Sequence, residues 1–127
     1  MTFAFRTFLI AALAAGAGAG AALAQPAAAP APPADFSSCG FCHETKAGGV
    51  SLGPTLFAIG GRAAGTLPGY DYSDAMKKYA QPWTAENLAA FILDPAKAVP
   101  GNKMDFPGAN DAASAKAIAD YLMSLKP

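Results

Sequence analysis

Apolar positions fall into three unlike stretches along the chain. From Phe8 to Ala24 nearly every position is apolar or glycine, with no period. Residues 25–34 (QPAAAPAPPA) hold four prolines, which remove amide donors and favour an extended, unpacked linker. After Asp35, apolar residues recur at helical intervals in short blocks. Ala85, Leu88, Ala89 and Ile92 make one face of a helix that Thr84 can cap and Asp94-Pro95 stops. Ile118, Tyr121, Leu122 and Leu125 make a second face, on a helix capped by Asp111. Ser73 can cap a short helix over Asp74–Tyr79, and Asp35 one that runs through Cys39 toward His43. Between these blocks, residues 46–67 are glycine-rich and aperiodic. No segment alternates with period two for long enough to read as a strand. The pattern predicts an all-α domain, but loops this long are wrong for a plain bundle and usually wrap something.

The first stretch reads as an export signal. Arg6 is the only charge in the first 24 residues, and Ala22-Leu23-Ala24 fits a small-x-small cleavage site. A retained membrane anchor is the alternative, but Phe8–Ala24 is shorter than the ~20 residues a spanning helix needs and mostly Ala and Gly. No cysteine lies at the cut, which argues against lipid anchoring. The expected organisation is a signal peptide at 1–24, a linker at 25–34 and one domain at 35–127. A domain that small buries little surface and commonly leans on a staple, metal or cofactor.

Charge narrows the classes further. The 127 residues carry 9 Lys plus Arg and 9 Asp plus Glu, so no basic excess marks a nucleic-acid binder. A single histidine excludes an HExxH zinc site, and no GxxxxGK[ST] loop is present for nucleotide phosphates.

The chemistry lies in Cys39-Gly40-Phe41-Cys42-His43, which gathers both cysteines and the only histidine into five residues. C-x-x-C-H is the attachment site of c-type haem: two thiols add to two vinyl groups and the next residue ligates iron. On a turn of helix, residues three apart share a face, so both sulfurs reach one edge of the macrocycle. Competing readings fit less well. A disulfide across so short a gap would be strained and reactive. A thioredoxin-like pair needs a βαβ context, and zinc needs a fourth ligand that no nearby carboxylate obviously supplies.

The second axial position follows by elimination. With no second histidine, it falls to Met, Lys, water or an open site. Met1 leaves with the signal, and Met76 and Met123 sit inside helical blocks where packing is their default role. Met104 lies in a loop bracketed by Pro100-Gly101 and Pro107-Gly108, poor in apolar material. Met104 is therefore the expected ligand, with an open site as the alternative, since His/Met is a standard pairing for c-type electron carriers.

Together these residues resemble the class I c-type cytochromes. The resemblance runs from Phe36 to the C-terminus. Its pieces are CGFCH, Gly53-Pro54, GGRAAG with Arg62, GYDYSDA from Gly69, Trp83, the run FILDPAKAVPGNKMDFPG, and Ala119-Asp120-Tyr121-Leu122. The resemblance implies a cytochrome c fold, short helices and long loops around one haem. It implies that the Pro54 carbonyl accepts a hydrogen bond from the His43 ring, fixing the tautomer and increasing donation to iron. It implies that Arg62, Tyr72 and Trp83 neutralise or hydrogen-bond a haem propionate, with Asn102, where threonine is frequent, able to do the same. Phe91 stands where a tyrosine often bonds the methionine sulfur. Asp35 stands where an aromatic usually pins the first helix to the last, with Phe36 one place later.

The expected function is single-electron transfer in a periplasm, by a non-enzymatic monomer whose haem c is held by Cys39 and Cys42, with iron between His43 and Met104. Expected partners are redox proteins such as membrane complexes, oxidases, a reaction centre or periplasmic dehydrogenases, with membrane contact only through them. The rivals are a haem sensor or peroxidase-like enzyme with an open distal site, and the same carrier tethered by an uncleaved N-terminus.

Overall fold

The computed structural model describes residues 30–127. The expected signal peptide, its cleavage after Ala24 and most of the linker lie outside the described residues.

Among the described residues five helical elements form, the last four behind a side-chain cap. Pro33 leads into a 3₁₀ helix, Ala34–Phe41; then come α1 (Asp74–Tyr79), α2 (Ala85–Leu93), α3 (Pro95–Ala98) and α4 (Ala112–Ser124). The Ser73, Thr84 and Asp111 side chains accept from the backbone N–H groups of Met76, Asn87 and Ser114 respectively. Thr84 and Asn87 also close a reciprocal capping box, satisfying two amides that a helix start leaves unpaired. Extended pairing among the described residues is confined to one isolated bridge, Ala63 to Pro82.

Two local expectations are corrected. Asp35 does not cap the first helix: Pro33 holds that position, and the Asp35 carboxylate accepts instead from Ser114 Oγ of α4 at 2.5 Å. A sequence reading cannot see this competitor, which lies 79 residues away. Asp94-Pro95 ends α2 as expected but also starts α3, because Asp94 Oδ1 accepts from Lys97 N–H at 3.0 Å and Pro95 fits the first helical position.

α2 and α4 pack together through Leu88, Phe91 and Ile92 on one side and Ala115, Ile118, Ala119 and Leu122 on the other. The 3₁₀ helix docks on α4 through Phe36, whose ring meets Tyr121 edge-on at 5.0 Å. Phe36 thus supplies the pin that its displacement by one residue left open. Trp83 continues the core, its ring tilted against Tyr79 at 5.6 Å and Phe91 at 5.3 Å. Gly108 (φ +119°) passes so close to the Leu93 carbonyl that any Cβ there would overlap it, so the chain returns to α2 only at a glycine.

Candidate functional site

The core does not close on itself. Nine of its fourteen buried apolar side chains, among them Leu56, Ile59, Leu88, Phe91, Ile118 and Leu122, also line a cleft of about 350 Å³. The wall of the cleft and the core of the domain are largely the same residues.

Cys39, Cys42 and His43 stand together in that wall. In a 3₁₀ helix residues three apart eclipse one another, so the two thiols fall on one side. The turn is closed by Cys42 and His43, whose N–H groups both donate to the Cys39 carbonyl, at 3.1 and 2.9 Å. Neither sulfur is in a disulfide; Cys39 is half-buried and Cys42 exposed. Burial pushes the Cys39 thiol above its ordinary range, which keeps it protonated and quiet.

His43 is fixed from behind. Its Nδ1 lies 2.7 Å from the Pro54 carbonyl oxygen, which can only accept, so this nitrogen carries the proton and Nε2 keeps its lone pair. The ring rests on Gly53, where a Cβ would sit 2.6 Å from Nδ1. Gly53 N–H in turn donates to the Cys42 carbonyl at 2.7 Å. Beneath this turn Thr55 is buried, its hydroxyl shared between the Glu44 and Lys46 carbonyls at 3.1 and 2.9 Å. In the sequence neither Gly53 nor Thr55 announces this role. The adjoining Gly-Pro was the one available signal, since a glycine before a rigid proline marks a place where backbone must come close.

Two methionines reach the cleft, Met104 and Met76, while Met123 packs away from it against Gly60. Met76 is buried on α1. Met104 is half-buried in the loop after α3, and its N–H donates to Asn102 Oδ1 at 2.8 Å.

At the polar end, Arg62, Tyr70, Tyr72 and Asn102 line the cleft, and Trp83 lines it from the core. Arg62 spends two donors on the Thr55 and Phe57 carbonyls, at 2.9 and 3.3 Å, leaving others free. Asn102 differs from expectation in its partners. Its Nδ2 donates to the Pro95 and Val99 carbonyls at 2.9 and 3.0 Å and its Oδ1 accepts from Met104, so the amide shapes the loop. Burial pushes the Tyr72 hydroxyl above its usual range, opposed by the Arg62 cation. A neutral phenol beside a guanidinium suits a carboxylate that enters from outside.

These features fit a haem: an apolar slot, a thiol pair on one side, a lone-pair nitrogen and two thioethers within reach, and donors for carboxylates at one end.

No family model matches the chain. The chain is 39% identical to cytochrome c2 iso-2 of Magnetospirillum molischianum over 94 residues, 74% of this chain and 97% of that protein. It is 42% identical to cytochrome c2 iso-2 of Magnetospirillum fulvum over 95 residues, 75% and 98% respectively. Among solved structures, cytochrome cH from Methylobacterium extorquens matches with a TM-score of 0.63 and 40% identity, covering 69% of this chain and 89% of that one. Identity at this level, over nearly the full length of the relatives, means that the chain belongs to the class I c-type cytochromes, small electron carriers with one haem c and its iron, attached here through Cys39 and Cys42.

Proposed function

We propose that this cytochrome is a periplasmic carrier whose iron is held between His43 Nε2 and Met104 Sδ. The observation that carries the reading is the His43–Pro54 contact at 2.7 Å, which engages Nδ1 and leaves Nε2 as the ring's other nitrogen in the wall of a cleft that Met104 also lines. Bound there, haem iron supplies a one-electron couple. The chain's own residues do the rest. Pro54 and Gly53 hold the imidazole in one tautomer and one orientation, so little reorganises when an electron arrives. Leu56, Ile59 and Phe91 exclude water, and the thioether favours ferrous iron, so both raise the potential. Arg62, Tyr72 and Trp83 receive the propionates. Phe91 brings no hydroxyl to the methionine sulfur.

Partner contact is expected at the Cys42 edge. Phe41, Val50 and Leu52 are 81%, 92% and 79% exposed, whereas most other large apolar side chains are buried. From Gln25 onward the chain has 8 basic and 9 acidic residues, so its global field steers weakly and short-range apolar contact dominates docking.

The domain reading, a leader over 1–24 and a linker over 25–34, is tested by intact mass. The exported protein should weigh as the chain from Gln25 plus one haem. A mass that retains residues 1–24 would make it a tethered carrier instead.

A further inference from the structure

Lys103, one residue before Met104, reaches away from its own loop. Its Nζ donates to Asp71 Oδ2 at 2.8 Å and to the Asp71 backbone carbonyl at 2.5 Å. Lys77 of α1 approaches the other carboxylate oxygen at 3.6 Å. The remaining anchors run to the preceding turn and, at the far end of the loop, to α2. Asn102 bonds Pro95 and Val99, and Ala109 N–H donates to the Ile92 carbonyl at 2.9 Å. The bonds to Asp71 cross instead to a segment 32 residues earlier, between Tyr70 and Tyr72 at the cleft.

We propose that Asp71 is a positioning residue for the ligand loop: the Asp71–Lys103 clasp, braced by Lys77, holds residues 101–108 over the cleft and sets how often Met104 leaves the iron. The proposal rests on Met104 being the ligand. Lys103 and Met104 are consecutive, with Cα atoms about 3.8 Å apart, so a swing of the loop that carries Met104 well away exceeds what the Lys103 stem can absorb and pulls Nζ from its acceptors. An exposed ion pair alone contributes little, because two long side chains must be ordered to make it. Here one ammonium holds both a carboxylate and the main chain of the same residue, so a single ordered lysine makes two charge-assisted bonds. The carboxylate also answers the second ammonium, from α1, joining three parts of the chain at one exposed side chain.

The test is cyanide binding to the ferric holoprotein at neutral pH. At high cyanide the rate levels off at the frequency with which the loop opens. Asp71→Asn should raise that plateau roughly two- to fivefold, the range an exposed but anchored ion pair supports. Asp71→Glu should restore it to near the parent value. Lys103→Gln should raise it similarly without touching residues 69–73. Added salt, by screening the pair, should speed the parent protein and leave Asp71→Asn unchanged. That salt signature separates a clasp from general destabilisation. Unchanged plateaus in both Asp71→Asn and Lys103→Gln, with the sulfur-to-iron band intact, would overturn the clasp. So would a raised plateau in Asp71→Asn that still climbs with salt. A parent protein lacking the sulfur-to-iron band would overturn Met104 ligation, and the clasp with it.

Discussion

Deprived of haem, the chain should lose its fold. The triple variant Cys39→Ala/Cys42→Ala/His43→Ala, which removes every expected attachment on the proximal side, should show little helix by circular dichroism. The reason is the shared wall: nine of the fourteen buried apolar side chains face the cleft. Without haem the apolar walls of this cleft, about 350 Å³, face water, and each large side chain left facing water forfeits up to about 1.5–3 kcal/mol of burial. A domain of this size has a total stability of only about 5–15 kcal/mol. The hole would therefore consume most or all of what holds the chain together. Collapse would relieve the hole but would also disperse residues 46–67, whose turns lack a helix of their own to pack on. Near-native helix in the haem-free chain would show that α2 and α4 suffice as a core.

Removing the thioether should have the next largest effect. Met104→Ala should abolish the sulfur-to-iron charge-transfer band of the ferric protein. It should also admit carbon monoxide to the ferrous form and lower the midpoint potential by on the order of 0.1–0.3 V, a sizeable part of the span axial ligands command. Met76 lines the same cleft and makes the discriminating control. It is buried on α1, so Met76→Ala should cost about 2–5 kcal/mol in stability and keep the band. The opposite pairing of results would exchange the two roles. Lys103 in the loop and Lys97 on α3, not in the loop as its sequence position suggests, are the amines expected to replace Met104 at alkaline pH, and Lys103 is the one already engaged, by Asp71.

What the sequence made legible depends on the range of the interaction. Ser73, Thr84 and Asp111 were readable because a cap acts on an amide three residues away, within the same stretch of chain. The Cys-x-x-Cys-His turn was readable for the same reason, and the resemblance supplied the Pro54 contact eleven residues on. Asp35 misled because the helix starts one residue before it, at Ala34, and its carboxylate accepts from Ser114 of α4. The bonds of Asn102 to the Pro95 and Val99 carbonyls were not legible, because the turn of α3 that presents them reads in sequence as the stop of α2. Gly53 and Thr55 carry no period and no charge, and what they do appears only when the His43 turn is folded against them. Asp71 and Lys103 are ordinary surface residues in sequence, and pairing across 32 positions is set by loop geometry alone.

A closed, six-coordinate electron carrier has no iron site to offer carbon monoxide, so exposing the reduced parent protein to that gas separates a closed site from an open one. With Met104 in place and the loop clasped, the ferrous spectrum should remain unchanged under carbon monoxide at neutral pH, while a small oxidant still removes one electron per chain. Prompt formation of a carbon monoxide adduct would mean an open distal site, and the protein would then be read as a haem sensor or peroxidase-like enzyme built on this fold.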